Sequence, residues 1–140
     1  MKLEQQVCSL ELAKRLRDLG VKQDGAFFWV EPCGGGEWIL RDDESFDHMA
    51  SLAADDYVSA FTVAELERLL PFEVNFPFKN GKKRSHNHWR VIGKQRPNGY
   101  AARYVGGNSL TNIEVQAETF ADSLAQMLIY LLENKLITLQ

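Results

Sequence analysis

The chain reads as an α+β domain: an antiparallel β-sheet, built from a hairpin and a three- to four-strand meander, with about three helices packed mainly on one face. Two observations predict this. Three segments repeat apolar residues at helical spacing and are bounded by capping or stop residues. Between them lie short aromatic and β-branched runs separated by glycine turns. A single domain spanning 1–140 follows from length, because about 140 residues bury enough surface to fold without a disulfide or metal staple.

The first helix begins at Ser9. Leu12, Ala13, Leu16 and Leu19 form its apolar stripe, Glu11, Lys14, Arg15, Arg17 and Asp18 its polar face, and Gly20 its stop. Ala26 to Glu31 and Glu37 to Arg41 read as a hairpin across Cys33-Gly34-Gly35-Gly36. The acidic stretch from Asp42 through Asp56 reads as a connector, and 46–60 receives no assignment. Thr62-Val63-Ala64-Glu65 matches a capping box, Leu66, Leu69 and Leu70 supply a stripe, and Pro71 ends the helix. Strands are predicted over Glu73–Phe78, His86–Lys94, Tyr100–Val105 and Leu110–Gln116, with turns at Asn80-Gly81, Pro97-Asn98-Gly99 and Gly106-Gly107-Asn108. Thr119 caps a last helix striped by Phe120, Leu124, Met127, Leu128 and Leu131. Ile129, Tyr130 and Leu132 widen that stripe, which predicts either central burial or an oligomer contact.

Charge is the least average property. Between Val74 and Ile113 there is no acid and there are eight of the sixteen basic residues, a formal +8; the remaining eight meet all nineteen acids, a formal −11. A fold polarised in this way steers anionic partners. Strand alternation puts His86, His88 and Arg90 on one face and Trp89 and Val91 on the other. If Trp89 and Val91 face the core, the histidines and Arg90 line a solvent face, which Arg103 joins if it pairs nearby, beside the Lys82-Lys83-Arg84 turn, with Tyr100 or Tyr104 available to stack on bases. Lys82, Lys83, Arg84, His86, His88, Arg90 and Arg103 are therefore the residues expected to contact a nucleic acid or another anionic partner. The competing explanation is a solvated meander whose lysines protect a sheet edge.

Other chemistry has less support. His86-x-His88 offers two metal ligands without motif-spaced companions, so no metal and no cofactor is assigned. No nucleophile elbow, zinc signature or phosphate-binding glycine loop is present, so the chain reads as more plausibly a binder than an enzyme. The segments at Ser9–Val21 and Thr62–Leu70 open like helix-turn-helix motifs, but strand-like sequence follows each where a recognition helix belongs. Cys8 and Cys33 read as free thiols in a reducing compartment. The N-terminus lacks a signal-peptide pattern and no apolar run is long enough to span a bilayer, so a cytoplasmic protein with no membrane partner is expected.

Three stretches, Ser9 to Gln23, Asp56 to Pro71 and Ala121 to Ile137, resemble small uncharacterised proteins carried by phages, prophages and other mobile elements of bacteria. The resemblance implies a bacterial cytosolic setting and transfers no functional residue. The leading expectation is a non-enzymatic binding protein whose partner is a protein, another copy of itself through the final helix included. Nucleic-acid binding through the basic β-meander 79–103 is the alternative, and a metal or enzymatic site around His86 and His88 a weaker one.

Overall fold

The structure, a computed structural model, describes residues 2–31, 35–42, 56–76, 86–96, 99–106 and 113–139; for 75–76, 86–96 and 106 the description is of the backbone. A 3₁₀ turn, Leu3–Gln5, precedes helix α1 (Leu10–Asp18). Strands β1 (Phe27–Val30), β2 (Ile39–Asp42) and β3 (Tyr57–Ser59) follow, then α2 (Val63–Leu69). Strands β4 (Glu73–Phe76), β5 (His86–Arg96), β6 (Gly99–Gly106) and β7 (Ile113–Ala117) lead to α3 (Phe120–Glu133). The fold is α+β with antiparallel pairing throughout, as predicted.

The strands form two sheets, ordered β2-β1-β3 and β4-β5-β6-β7. The first exceeds the expected hairpin because β3 lies in the span that received no assignment. It is only three residues long, and its partner β1 is about thirty residues upstream, so local pattern carries little trace of it. The Gln23 side chain supplies much of its anchorage: Oε1 accepts the Ser59 N–H at 2.8 Å, while Nε2 donates to the Val21 carbonyl at 2.8 Å. The expected turns at 80–81 and 107–108 and most of the acidic connector lie outside the described residues.

One apolar cluster joins these elements. Helix α3 is its centre, burying Leu124, Met127, Leu128, Ile129 and Leu131 against β6, β7, α1 and α2. The breadth of its apolar surface serves the chain's own core: Tyr130 and Glu133 are its exposed residues, and Tyr130 is the one large hydrophobic among them. Ala102 and Tyr104 of β6 are buried in the same cluster, with Ile113 and Val115 of β7 packed against it. Residues in these positions therefore mark the α3 side of the four-stranded sheet.

The helix ends follow elementary capping chemistry. Gly20, at φ +92°, lets α1 close with paired bonds from Gly20 N–H to the Arg17 carbonyl and Val21 N–H to the Leu16 carbonyl. Helix α3 ends in the same motif, Lys135 N–H to Leu132 and Leu136 N–H to Leu131, but with Lys135 at φ +54° in the position that favours glycine. The expected cap at Ser9 is different in kind. Its side chain makes no capping bond to α1; its backbone N–H donates to Asp122 Oδ1 at 2.7 Å and ties the start of α1 to the first turn of α3.

The capping box of α2 is present and does more than cap. Glu65 Oε2 accepts from the Thr62 N–H at 2.8 Å and the Thr62 hydroxyl at 2.9 Å, and Oε1 accepts the Ala26 N–H at 2.8 Å. One carboxylate thus joins the start of α2 to the entry of β1. Glu65→Ala leaves three donors without this acceptor and is expected to lower unfolding free energy by about 1–3 kcal/mol, measured by urea denaturation. Lys135→Gly removes the cost of a side chain at positive φ and is expected to raise it by about 1 kcal/mol in the same assay.

Candidate functional site

Among the described residues, two places have the geometry of a contact site. The first is a cleft of about 430 Å³ bounded by Gln5, Gln6, Val63, Ala64, Tyr100, Glu118 and Phe120, between the N-terminal turn and the starts of α2 and α3. Tyr100 and Phe120 stack there with ring centroids 5.8 Å apart. The Thr62 and Thr119 hydroxyls at its margin are engaged in helix capping, accepting from Glu65 N–H and Asp122 N–H. The cleft offers apolar surface and two amide side chains.

Beside the starts of α1 and α3 lie Cys8 and Asp122. Burial pushes the Cys8 thiol up to about 12, so it stays protonated at neutral pH. Cys33, the other cysteine, lies outside the described residues. Burial also raises the Asp122 carboxyl above its ordinary value, against the lowering effect of its bonds from Ser9 and with a smaller raising contribution from Glu118. Among the described residues, no three His, Cys, Asp or Glu residues gather into a metal-binding group.

The second place is the four-stranded sheet, where register decides which cations come together. In β4 and the first half of β5, Val74 stands opposite His88, and Arg90 and Ile92 stand opposite Tyr104 and Ala102. Val74, Ala102 and Tyr104 are core residues. His86, His88, Arg90 and Ile92 therefore take register positions on the α3 side. Trp89 pairs with Val105, and Val91 with Arg103, on the side away from α3. The condition that Trp89 and Val91 face the core is not met in this register, and Arg103 does not join the row of His88 and Arg90. Lys82, Lys83 and Arg84 lie outside the described residues.

A β-bulge then changes the pattern. Ile92 pairs with Ala102 but Lys94 pairs with Ala101, so Gly93 is an extra residue on β5. Beyond it the alternation is inverted: Lys94, opposite Ala101, and Arg96, opposite Gly99, take the same face as Arg103. That face carries Trp89, Val91, Lys94 and Arg96 on β5 and Ala101, Arg103 and Val105 on β6, with no acid on either strand. Glu73 and Glu114 stand on the flanking strands. Arg103 is half-buried; its Nε is 4.0 Å from Glu114 Oε1 and has no hydrogen-bond partner. The two tyrosines considered for base stacking are engaged on the α3 side: Tyr104 is fully buried and donates its hydroxyl to the Pro71 carbonyl at 2.6 Å, and Tyr100 stacks on Phe120.

Sequence reasoning thus missed Lys94 and Arg96 as neighbours of Arg103. The available signal was Gly93, since a glycine inside a strand marks a bulge. Gly99 closes the adjoining hairpin at φ +144°, where an added Cβ would come within 2.4 Å of the Ala117 carbonyl oxygen, so the β6–β7 approach requires glycine there.

No protein-family model matches this sequence, and no curated protein and no solved structure matches it. Among the described residues, no helix is long and apolar enough to cross a membrane.

The Asp122 environment gives a pH prediction. Its folded pKa lies above its unfolded value, so the native state binds the proton more readily and ionisation costs stability as pH rises through that window. Asp122→Asn keeps an oxygen acceptor for the Ser9 N–H and carries no charge to desolvate. It is expected to be more stable than the parent at neutral pH, with the difference shrinking as pH falls below the ordinary carboxylate range, read from thermal melts across pH.

Proposed function

We propose that this chain is a non-enzymatic binding protein of bacterial mobile-element origin, working in the cytosol, that engages an anionic partner through the face of the four-stranded sheet bearing Arg103. The observation that carries this reading is the register inversion at Gly93, which aligns Lys94 and Arg96 with Arg103 across two strands free of acids. Segregated like charge costs self-repulsion in the folded state and is recovered when an opposite charge docks. Arg103, half-buried beside Glu114, adds a guanidinium to this row, the group that binds carboxylate or phosphate through parallel donors.

A homodimer through the final helix has less to build on. The apolar residues that widened its stripe are consumed by the chain's own core, leaving Tyr130 and the partly buried Leu132 on that helix. The mobile-element origin is supported by resemblance in the stretches that form α1, β3–α2 and α3, which are scaffold and not contact face.

Heparin chromatography tests the reading. Despite a net charge of −3, the protein is expected to be retained at low salt and released by a modest rise in ionic strength. The triple variant Lys94→Glu, Arg96→Glu, Arg103→Glu is expected to flow through with an unchanged circular dichroism spectrum. Flow-through of the parent protein overturns the proposal.

A further inference from the structure

We infer that the cleft between the N-terminal turn and the starts of α2 and α3 is a binding site for a small, flat organic cation, an aryl or heteroaryl amidine, guanidine or amine. Its ring lies against the Tyr100–Phe120 pair and its charged end at Glu118. The site is on the α3 side of the four-stranded sheet and opposite in sign to the face bearing Arg103, so it stands or falls independently of the anionic-partner reading.

Shape and lining set the size and flatness of the ligand. The cleft volume of about 430 Å³ lies in the range of small-molecule sites, roughly 300–1,000 Å³. Val63, Ala64 and the two rings supply its apolar surface. The rings stack with centroids 5.8 Å apart and planes 29° from parallel, so they make one aromatic wall. A flat ligand buries area against such a wall, and a cation is drawn to it by the ring quadrupoles. The backbone holds the wall in place: Tyr100 pairs with Ala117 at the end of β7, just before Phe120 opens α3.

The polar groups set the sign of the ligand. Among the described residues that line the cleft, Glu118 alone is charged. It is exposed and makes no ion pair among the described residues. Gln5 and the Tyr100 hydroxyl likewise have no hydrogen-bond partner among them, which leaves an amide and a hydroxyl for a ligand's polar edge. The two helix starts do not recruit an anion. Their Glu65 and Asp122 N–H donors are taken by the Thr62 and Thr119 hydroxyls. Each start also carries its own carboxylate: Glu65 accepts from the Thr62 N–H and Asp122 from the Ser9 N–H. Asp122 already feels Glu118 as a repulsive neighbour. An anion in the cleft would add to that repulsion with no lining cation to offset it, whereas a cation relieves it.

Benzamidinium, benzamide and benzoate share one shape and differ in charge, so NMR titration of the methyl-labelled full chain with each tests the inference. Benzamidinium is expected to bind and to shift the Val63 and Ala64 methyl signals. Benzamide is expected to bind about two- to fivefold more weakly, the worth of one exposed ion pair, and benzoate more weakly still. Glu118→Gln is expected to erase the advantage of benzamidinium and leave benzamide binding unchanged. Tyr100→Leu is expected to weaken both about three- to tenfold, the worth of an aromatic contact. Ala64→Trp, at an exposed position on the cleft wall, fills the cleft and is expected to abolish binding, read on the Val63 methyls, with an unchanged thermal melt. Thermal melts of the other variants separate lost binding from lost fold, and Ala64→Trp decides the matter if Tyr100→Leu does not fold. Benzamidinium that leaves both methyls unshifted, benzamide or benzoate that binds as tightly as benzamidinium, or binding that survives Ala64→Trp overturns the inference. Heparin retention reports on the Arg103 face alone and is expected to be unchanged in Ala64→Trp.

Discussion

Helix α3 is the element on which α1, α2 and the four-stranded sheet all lean. Its buried face meets β6 and β7 on one side and α1 and α2 on the others. Fully burying a leucine or methionine side chain is worth about 1.5–3 kcal/mol, so Leu124, Met127, Leu128 and Leu131 make this the dominant apolar term among the helices. The orientation of the four-stranded sheet follows from it. Because Ala102 and Tyr104 must face α3, Ala101, Arg103 and Val105 must face away, and the chemistry of the far side is set by what the core demands of the near side.

Polar contacts then pin the remaining elements at particular points. Asp122 holds the start of α1 at the start of α3, and Glu65 holds the entry of β1 at the start of α2. In both, a carboxylate near a helix N-terminus accepts a backbone donor from another element while lying close to the positive helix end. These bonds cost little in chain entropy once α3 is docked, and they turn a loosely specified apolar collapse into one arrangement. The exposed Arg15–Glu133 pair between α1 and α3 adds little, since surface ion pairs gain weakly over hydration.

The helices were the most legible part of the sequence, since capping box, glycine stop and proline stop are local signals and each fell where predicted. The capping threonines at Thr62 and Thr119 work as the sequence implied, whereas Ser9 starts a helix through a bond to a residue 113 positions away, which no window of sequence contains. The alternation of β7 was legible from its residue types. Strand β3 was not, because three residues carry no periodicity and depend on a distant partner and the Gln23 amide. The candidate site was legible as a charge segregation and illegible as a surface. Strict alternation, carried past Gly93, assigns Lys94 and Arg96 to the wrong face, and the condition on which the His88–Arg90 face depended, Trp89 and Val91 toward the core, is not met by the register.

Gly93 makes the arrangement of this face a question of counting. Every residue of β5 after it owes its side of the sheet to one uncompensated position in the chain. In genetic terms, the shortest route by which a lineage sheds the charged face is an in-frame loss of one codon, not replacement of three cations. Such a change leaves the net charge of −3 untouched and alters composition by one glycine. Descendants that lost it would keep the same inventory of charges on a differently faced strand, a divergence that composition and pairwise identity would scarcely register.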